Sequence, residues 1–387
     1  MSNLNIKMAE LNKKYKAQII NVGTDIVEVS KIPFSSPTAN YMTYGGIPVG
    51  KFTEFYGSEG GGKTTSALDI VKNAQEKFNE VYDNKVKGYE QQINELIEKD
   101  TKESKVKAGK LQGELNEIME QGAKVVVYVD AEQTLDTEWA QLLGVDTENL
   151  ILVRPQSETA EQVFQIIIEL VDTGNVGLVV LDSIPMLVSQ NIFEESMEKK
   201  SYGGISQALT VFCSKITPLL AKHQCAFIGI NQVREDLSSM YSTESTPGGK
   251  GWKHACTLRL KFKKGTFIDS NNNELTRGAE NPAGNKVAIE IIKSKCCKSD
   301  RRLGYYTLNY TEGINILVDS TTIGQQYGII GKAGSWYRIL DDNGEIKIDD
   351  DGTQLSFQGF AKLKQYLETH PAELQSVLQR LQEAMLQ

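Results

Sequence analysis

The chain has 387 residues, 40% of them hydrophobic and 24% charged, with a formal net charge of −8. That length and apolar fraction allow one large buried core with smaller appendages. The negative balance argues against a protein that coats nucleic acid by bulk positive charge, so any DNA contact has to be local.

Five cysteines without CxxC spacing and three scattered histidines do not make a zinc or histidine-rich centre, and reduced, mostly buried thiols are expected. No apolar run approaches the roughly 18 residues of a membrane span, and the start after Met1 is polar. The expectation is a cytoplasmic protein with no membrane contact.

Along the chain, apolar runs of strand length alternate with stretches of helical spacing. Residues 51–56 read as a strand before a helix from Lys63, 124–129 as a strand before a helix near Thr134, and 150–153 as a strand before a helix over 158–171. Strands at 177–181 and 226–230 frame a further helix from about Ile205 to Lys222. Continuous β-branched runs separated by helices are the pattern of a parallel sheet covered on both faces, an α/β core.

Residues 76–121 are dense in Lys, Glu, Gln and Asn. Phe78, Tyr82, Val86, Tyr89, Ile93 and Leu96 form one helical stripe and Leu111, Leu115 and Ile118 a second. With a polar break over 100–110, this predicts an antiparallel helical hairpin projecting from the core, either a solvated excursion or an interaction arm. After Gly249, strands at 256–262, 286–293 and 305–309 are expected to extend the sheet antiparallel. From Thr321 onward, helical stretches at 355–367 and 371–385 suggest a small C-terminal lobe.

The strongest chemical signal is Gly57-Ser58-Glu59-Gly60-Gly61-Gly62-Lys63-Thr64, the GxxxxGK[ST] template between a predicted strand and a predicted helix; Thr65 follows. Glycines let the loop turn its N–H groups inward, and the helix N-terminus adds its positive end, so phosphate oxygens are cradled. Lys63 is expected on the β- and γ-phosphates of ATP, and Thr64 on Mg²⁺.

A carboxylate closing a buried strand supplies the second part: Asp182, after the run 178–181, is expected to hold the metal through water. Asp130 and Glu132 end the strand after the P-loop helix, and alternation places them on one side at the ligand-binding edge of the sheet. Glu132 is the candidate base for the attacking water.

With these motifs in register, the chain resembles the bacterial RecA recombinases and their phage-encoded relatives. The residues that carry the resemblance run in order from Gly57 through DAEQTLDTEWAQLLGVD, LVVLDSIPML, IGINQVRED, STPGGKGWKHACTLRL, KSKCCK and YTEGINILVD to KAGSWY. Discounting the insertion, they cover nearly the whole chain.

The resemblance implies a RecA-like ATPase core over 34–317 with a mostly parallel sheet, an N-terminal polymerisation arm over 1–33, and an α+β C-terminal domain over 318–387. It implies a DNA-dependent ATPase that forms a helical filament on single-stranded DNA, pairs it with homologous duplex DNA, and serves recombination, repair and the damage response with accessory proteins. The alternatives are a nucleotide-switched regulator or loader of another recombinase, and a hexameric helicase.

Residue by residue, Glu132 falls on the family's catalytic glutamate, Asp136 and Trp139 on adenine contacts, and Gln232 on the glutamine that senses the γ-phosphate. Lys293 and Lys295 match a lysine pair that reaches the neighbour's ATP. Two DNA loops would span about 189–204 and 234–249, with Lys199, Lys200, Tyr202, Gly203, Arg234, Gly248, Gly249, Lys250 and Lys253 as contacts. Residues 8–15 and 26–29 resemble the helix and strand that pack onto the adjacent protomer. Departures are Gln207, where an arginine is usual, His254 in place of an apolar interface residue, and the insertion.

Overall fold

The computed structural model describes residues 3–14, 29–194, 204–236, 243–276, 278–298 and 300–386. The chain divides into two units, 1–30 and 31–387. In the first, a helix runs Asn3–Lys14 with a Lys7–Glu10 pair at 3.0 Å. Of the expected arm, Tyr15 and residues 26–28 lie outside the described residues.

The second unit is built on nine strands: β1 (Phe52–Gly57), β2 (Val125–Asp130), β3 (Leu150–Val153), β4 (Val176–Asp182), β5 (Ala226–Gln232), β6 (Leu258–Ile268), β7 (Gly284–Ser294), β8 (Leu303–Asn309) and β9 (Gly313–Ile314). Their order in the sheet is β9-β8-β7-β6-β1-β5-β4-β2-β3. Strands β6, β1, β5, β4, β2 and β3 run parallel, and β7, β8 and β9 add antiparallel at the β6 edge. The expectation that all strands after Gly249 are antiparallel is therefore corrected for β6. It follows the Gly249–Ala255 helix and re-enters the sheet beside β1 in the same direction, Leu258 opposite Thr53 and Phe262 opposite Gly57.

Period-two alternation sends side chains to two separate cores. Val126, Tyr128, Leu178, Val180, Ile228 and Ile230 pack with Ala67, Leu68, Ile70, Val71 and Ala74 of the P-loop helix. Val127, Val129, Val179, Leu181 and Phe227 face the other way, onto the helices Ala160–Asp172 and Gly204–His223. Burial on both faces is what uninterrupted β-branched strands require, each side chain contributing about 1.5–3 kcal/mol. Caps set the helix starts: Thr159 and Gln162 form a reciprocal capping box, which begins that helix at Ala160.

The hairpin exists, but its break is much shorter than expected. The P-loop helix runs unbroken over 36 residues, Lys63–Glu98, and the return helix is Lys102–Gln121. Thr101 caps the return helix by accepting from Ser104 N at 3.1 Å, and Gly109 lies inside it. Ile93, Ala108 and Leu115 are buried between the two helices, with Val86, Tyr89, Leu96 and Leu111 around them.

The C-terminal lobe has its own apolar cluster, including Ile323, Ile330, Ile339, Leu363, Leu367, Val377 and Leu381. Its antiparallel sheet Ile330–Ala333, Trp336–Ile339, Ser356–Gln358 packs with the helices Ile316–Gln326, Phe360–Thr369 and Pro371–Leu386. The helical stretch expected over 355–367 starts five residues late, because 356–358 pair as a strand with Trp336–Arg338.

Candidate active site

The C-terminal ends of β1, β5, β4 and β2 form one edge, where ligands of open α/β sheets bind. In register, Gly57 lies opposite Gln232 and Asp182 opposite Asp130. From β1 the chain turns through 57–62 into the helix. Gly57 has φ 154° and a β-carbon there would meet the Phe262 carbonyl oxygen at 2.0 Å; Gly62 closes the loop at φ 87°. Side chains at either position would break the cradle.

Lys63 is buried and folds back onto the loop, donating to the carbonyls of Gly57 at 3.1 Å and Ser58 at 2.7 Å. Burial lowers its pKa, while Asp182, Glu132 and Glu59 oppose that shift. Ser58, Glu59, Gly60 and Thr64 are exposed and Thr65 is half-buried.

Asp182 collects two donors on Oδ2, the Thr64 hydroxyl at 3.0 Å and the Tyr128 hydroxyl at 2.7 Å. Burial pushes its carboxyl up to about 6, against the lowering effect of those two hydrogen bonds. One hydroxyl and one carboxylate are the oxygen donors a hard divalent ion takes. Among the described residues no three His, Cys, Asp or Glu are grouped to hold a metal alone.

Asp130 and Glu132 do not share an environment. Asp130 turns inward, accepting from Arg154 Nε at 3.1 Å and from the N–H groups of Thr134 and Leu135. Glu132 instead meets Gln232 Nε2 at 3.2 Å and the Ser183 hydroxyl. Three strand ends thus converge on one carboxylate.

The other expected residues lie farther out. Asp136 caps the helix Thr137–Leu142 through Glu138 N and Trp139 N, and Trp139 packs partly on the core. Leu143, just past that helix, lines a small cleft with Thr65, Glu312 and Ile314. Lys293 and Lys295 are not at the loop of their own chain. Lys293 pairs with Arg259, itself opposite Glu54, three residues along the ladder from Gly57. Both lysines donate to the end of the Gly249–Ala255 helix: Lys293 to Lys253 O at 2.6 Å and to His254 O at 3.1 Å, Lys295 to His254 O at 3.4 Å.

Of the proposed DNA contacts, Lys199, Lys200, Tyr202 and Gly203 lie outside the described residues. Arg234 is exposed and opens a short ladder, 234–236 against 243–245, where an irregular loop was expected. Gly248, at φ 98°, caps the Gly249–Ala255 helix, and Lys250 is exposed on its first turn.

Sequence reasoning missed Tyr128, Ser183 and the fully buried Glu54. Glu54 accepts from Asn231 Nδ2 at 2.8 Å, Trp252 Nε1 at 2.9 Å and Arg259 Nε. Asn231 also holds Pro247 O at 2.9 Å, so this carboxylate ties β1 and β5 to the outgoing leg of the second loop. A glutamate within an apolar strand, FTEFYG, was the available signal.

Comparison with known proteins places this geometry in context. A family model described as the RecA N-terminal domain matches residues 2–82 and 94–315. The unmatched 83–93 fall within the first helix of the hairpin. The chain is 27% identical to Protein RecA of Aquifex aeolicus (strain VF5), covering 98% of this chain and 92% of that protein. It is 28% identical to Protein RecA of Chlorobium chlorochromatii (strain CaD3), covering 100% and 91%, and 29% identical to Protein RecA of Thermus aquaticus, covering 86% and 78%.

Proposed function

The chain belongs to the RecA family, and from that premise we propose that it is a DNA-dependent ATPase that forms filaments on single-stranded DNA and exchanges strands with homologous duplex. The observation that carries the reading is the convergence of Lys63, Thr64, Asp182, Glu132 and Gln232 on one strand edge. Lys63 exchanges its loop carbonyls for the β- and γ-phosphates of ATP. Thr64 and Asp182 would hold magnesium, which supplies charge neutralisation for those phosphates. Glu132 orients and deprotonates the attacking water, and Gln232, hydrogen-bonded to it, senses the γ-phosphate and carries that state toward Arg234 and the second loop. Asp136, Trp139 and the cleft beside Thr65 take the nucleoside end.

Lys293 and Lys295 act in trans, on the ATP of a neighbouring copy. Their placement along the ladder from their own loop supports this, and cations positioned in this way are worth about 10³- to 10⁵-fold in related NTPases. Head-to-tail assembly through an arm over 1–33 gives an open helical filament around the core 34–317, with a C-terminal domain over 318–387. Contacts to DNA phosphates make binding steeply salt-dependent. No described helix is long and apolar enough to cross a membrane.

The test is ATP hydrolysis against protein concentration, with and without single-stranded DNA. Cooperative, DNA-stimulated turnover supports the reading and calls for a strand-exchange assay. ATP binding without DNA-stimulated turnover would replace it with a nucleotide-switched regulator.

A further inference from the structure

Two of the five cysteines differ from the rest. Cys213 and Cys225 are buried and their thiols are pushed up to about 12, and burial raises Cys256 well above the usual thiol range. Cys296 and Cys297 are only half-buried and adjacent, in the turn between β7 and β8 directly after Lys293 and Lys295.

Ser294 organises this turn. Its Oγ lies 2.9 Å from Cys297 Sγ and 3.8 Å from Cys296 Sγ, and it accepts the N–H groups of Cys296 at 3.3 Å and Cys297 at 3.1 Å. With both N–H groups pointing at its oxygen, the serine proton is free for the Cys297 carbonyl (3.1 Å) or for a sulfur, Cys297 Sγ being the nearer.

The far side of the turn is clamped. The Arg301 guanidinium lies 4.0 Å from the Tyr41 ring centroid and 4.1 Å from that of Tyr44, and Nη1 donates to the carbonyls of Tyr41 and Met385 at 3.0 Å each. Among the described residues, the charged or titratable groups that act on Cys297 include Cys296, Lys31, Tyr44 and Asp300. The neighbouring Cys296 sulfur, with help from Ser294 and Lys31, holds the Cys297 thiol below the usual thiol range, against the opposing effect of burial.

We propose that Cys297 and Cys296 form a thiol modification site, Cys297 the attacking sulfur and Cys296 the resolving one, which a hydroperoxide converts reversibly to a vicinal disulfide. The Cys297 thiolate attacks one peroxide oxygen, the O–O bond breaks, and the departing oxygen leaves as water or alcohol after taking a proton. The Cys296 sulfur then displaces the sulfenic oxygen, which leaves as a second water, forming the S–S bond. The two thiols lose two electrons and the peroxide gains them. A small thiol reverses the step by exchange.

Closing this ring takes Cys297 Sγ away from Ser294 and reshapes the backbone two residues beyond Lys295. Lys295 is held by its own N–H to Thr257 O at 2.9 Å. Reshaping 296–297 pulls on that anchor, so oxidation is expected to shift Lys295 and slow turnover. This consequence rests on the trans role proposed for Lys293 and Lys295; the thiol chemistry does not.

The test uses the full chain with limiting iodoacetamide over a range of pH, read by peptide mass. Cys297 is expected to alkylate at least about tenfold faster than Cys213, Cys225 or Cys256, with a rate inflection below the ordinary value of about 8.5 that moves upward in Ser294→Ala. Equimolar hydrogen peroxide should remove two hydrogens from the peptide holding both cysteines, reversibly with dithiothreitol. Cys296→Ser should instead accumulate a sulfenic acid on Cys297 that dimedone traps. Reactivity equal to the buried thiols, an inflection near the ordinary value of about 8.5, or no trapped sulfenic acid would overturn the site.

Oxidation should also lower DNA-stimulated ATPase at least about fivefold, with Cys297→Ser resistant. Unchanged turnover after complete oxidation would overturn the regulatory step. A reduced protein lacking DNA-stimulated turnover would overturn the proposed function and leave the mass readings to decide the thiol site.

Discussion

Gln232 and Glu132 stand a hundred residues apart in the chain, and Gln232 Nε2 donates to Glu132 Oε1 at 3.2 Å. On the proposed reading a γ-phosphate beside Lys63 would compete for that amide, linking nucleotide state to the free carboxylate through one hydrogen bond. Glu132→Gln should keep ATP binding and lose about 10²- to 10⁴-fold in hydrolysis, measured by single-turnover phosphate release. Gln232→Ala should bind ATP normally yet lose stimulation by DNA. If Glu132→Gln hydrolyses at the parental rate, the water-activating role belongs elsewhere.

Glu54 and Arg259 make a buried ion pair under the second loop, with Asn231 and Trp252 completing the carboxylate's partners. Removing one member of such a pair leaves the other uncompensated, at about 3–5 kcal/mol. Glu54→Ala should lower unfolding free energy by that amount in urea titrations. Adding Arg259→Met should recover at least about 1 kcal/mol, still short of the parent because Asn231 Nδ2 and Trp252 Nε1 have lost an acceptor. A double variant whose loss equals the sum of the single losses would mean the two residues do not interact.

Burial pushes three carboxyls, Asp69, Asp182 and Asp319, up to about 6. A carboxyl that holds its proton more tightly folded than unfolded contributes stability that is complete below the unfolded value of about 3.9 and is lost as pH rises through the folded one. Asp69→Asn keeps a group that can accept from Ser35 N, which lies 2.8 Å from Asp69 Oδ2, and carries no charge. Relative to the parent it should gain stability between about pH 5 and pH 8, by roughly 1.4 kcal/mol. Urea midpoints at both pH values check this; a difference independent of pH would contradict it. The proposed magnesium site would run the other way, because Asp182 has to be ionised to hold the cation there. Magnesium-dependent nucleotide affinity should fall as pH drops through about 6.

How far the fold can be read in advance follows from what each signal encodes. The runs VVVYVD and VGLVVLD announce strands buried on both faces, and Gly57 to Thr64 announces a phosphate loop, because composition and spacing are themselves the physical requirement. Strand direction is not encoded that way: 258–268 reads the same whether it joins the sheet parallel or antiparallel, and only the helix before it decides. Partners of single polar residues are equally hidden. Tyr128 sits in an apolar run, and nothing in the run says that its hydroxyl meets Asp182 across the β2–β4 pair. Lys293 and Lys295 are an ordinary KxK in the sequence, and only the resemblance gives reason to propose a neighbour for them.

The hairpin gives the last prediction. Its distal part is held by a small cluster around Ile93, Ala108 and Leu115, apart from the main core, whereas the same helix nearer the sheet buries Leu68, Ile70, Val71 and Ala74. Helices with so little apolar contact are marginal alone in water. Ile93→Asp places an unpaired charge in that cluster and should melt the distal helices first, seen as loss of far-UV helical signal in a separate early transition. The main transition should remain, because Phe78 still packs on the core and the ring sits against Gly177. ATP hydrolysis without DNA should also remain, since Lys63, Thr64 and Asp182 lie at the opposite end of the helix. A single merged transition, or loss of nucleotide binding together with the helical signal, would show that the hairpin and the phosphate loop fold as one unit.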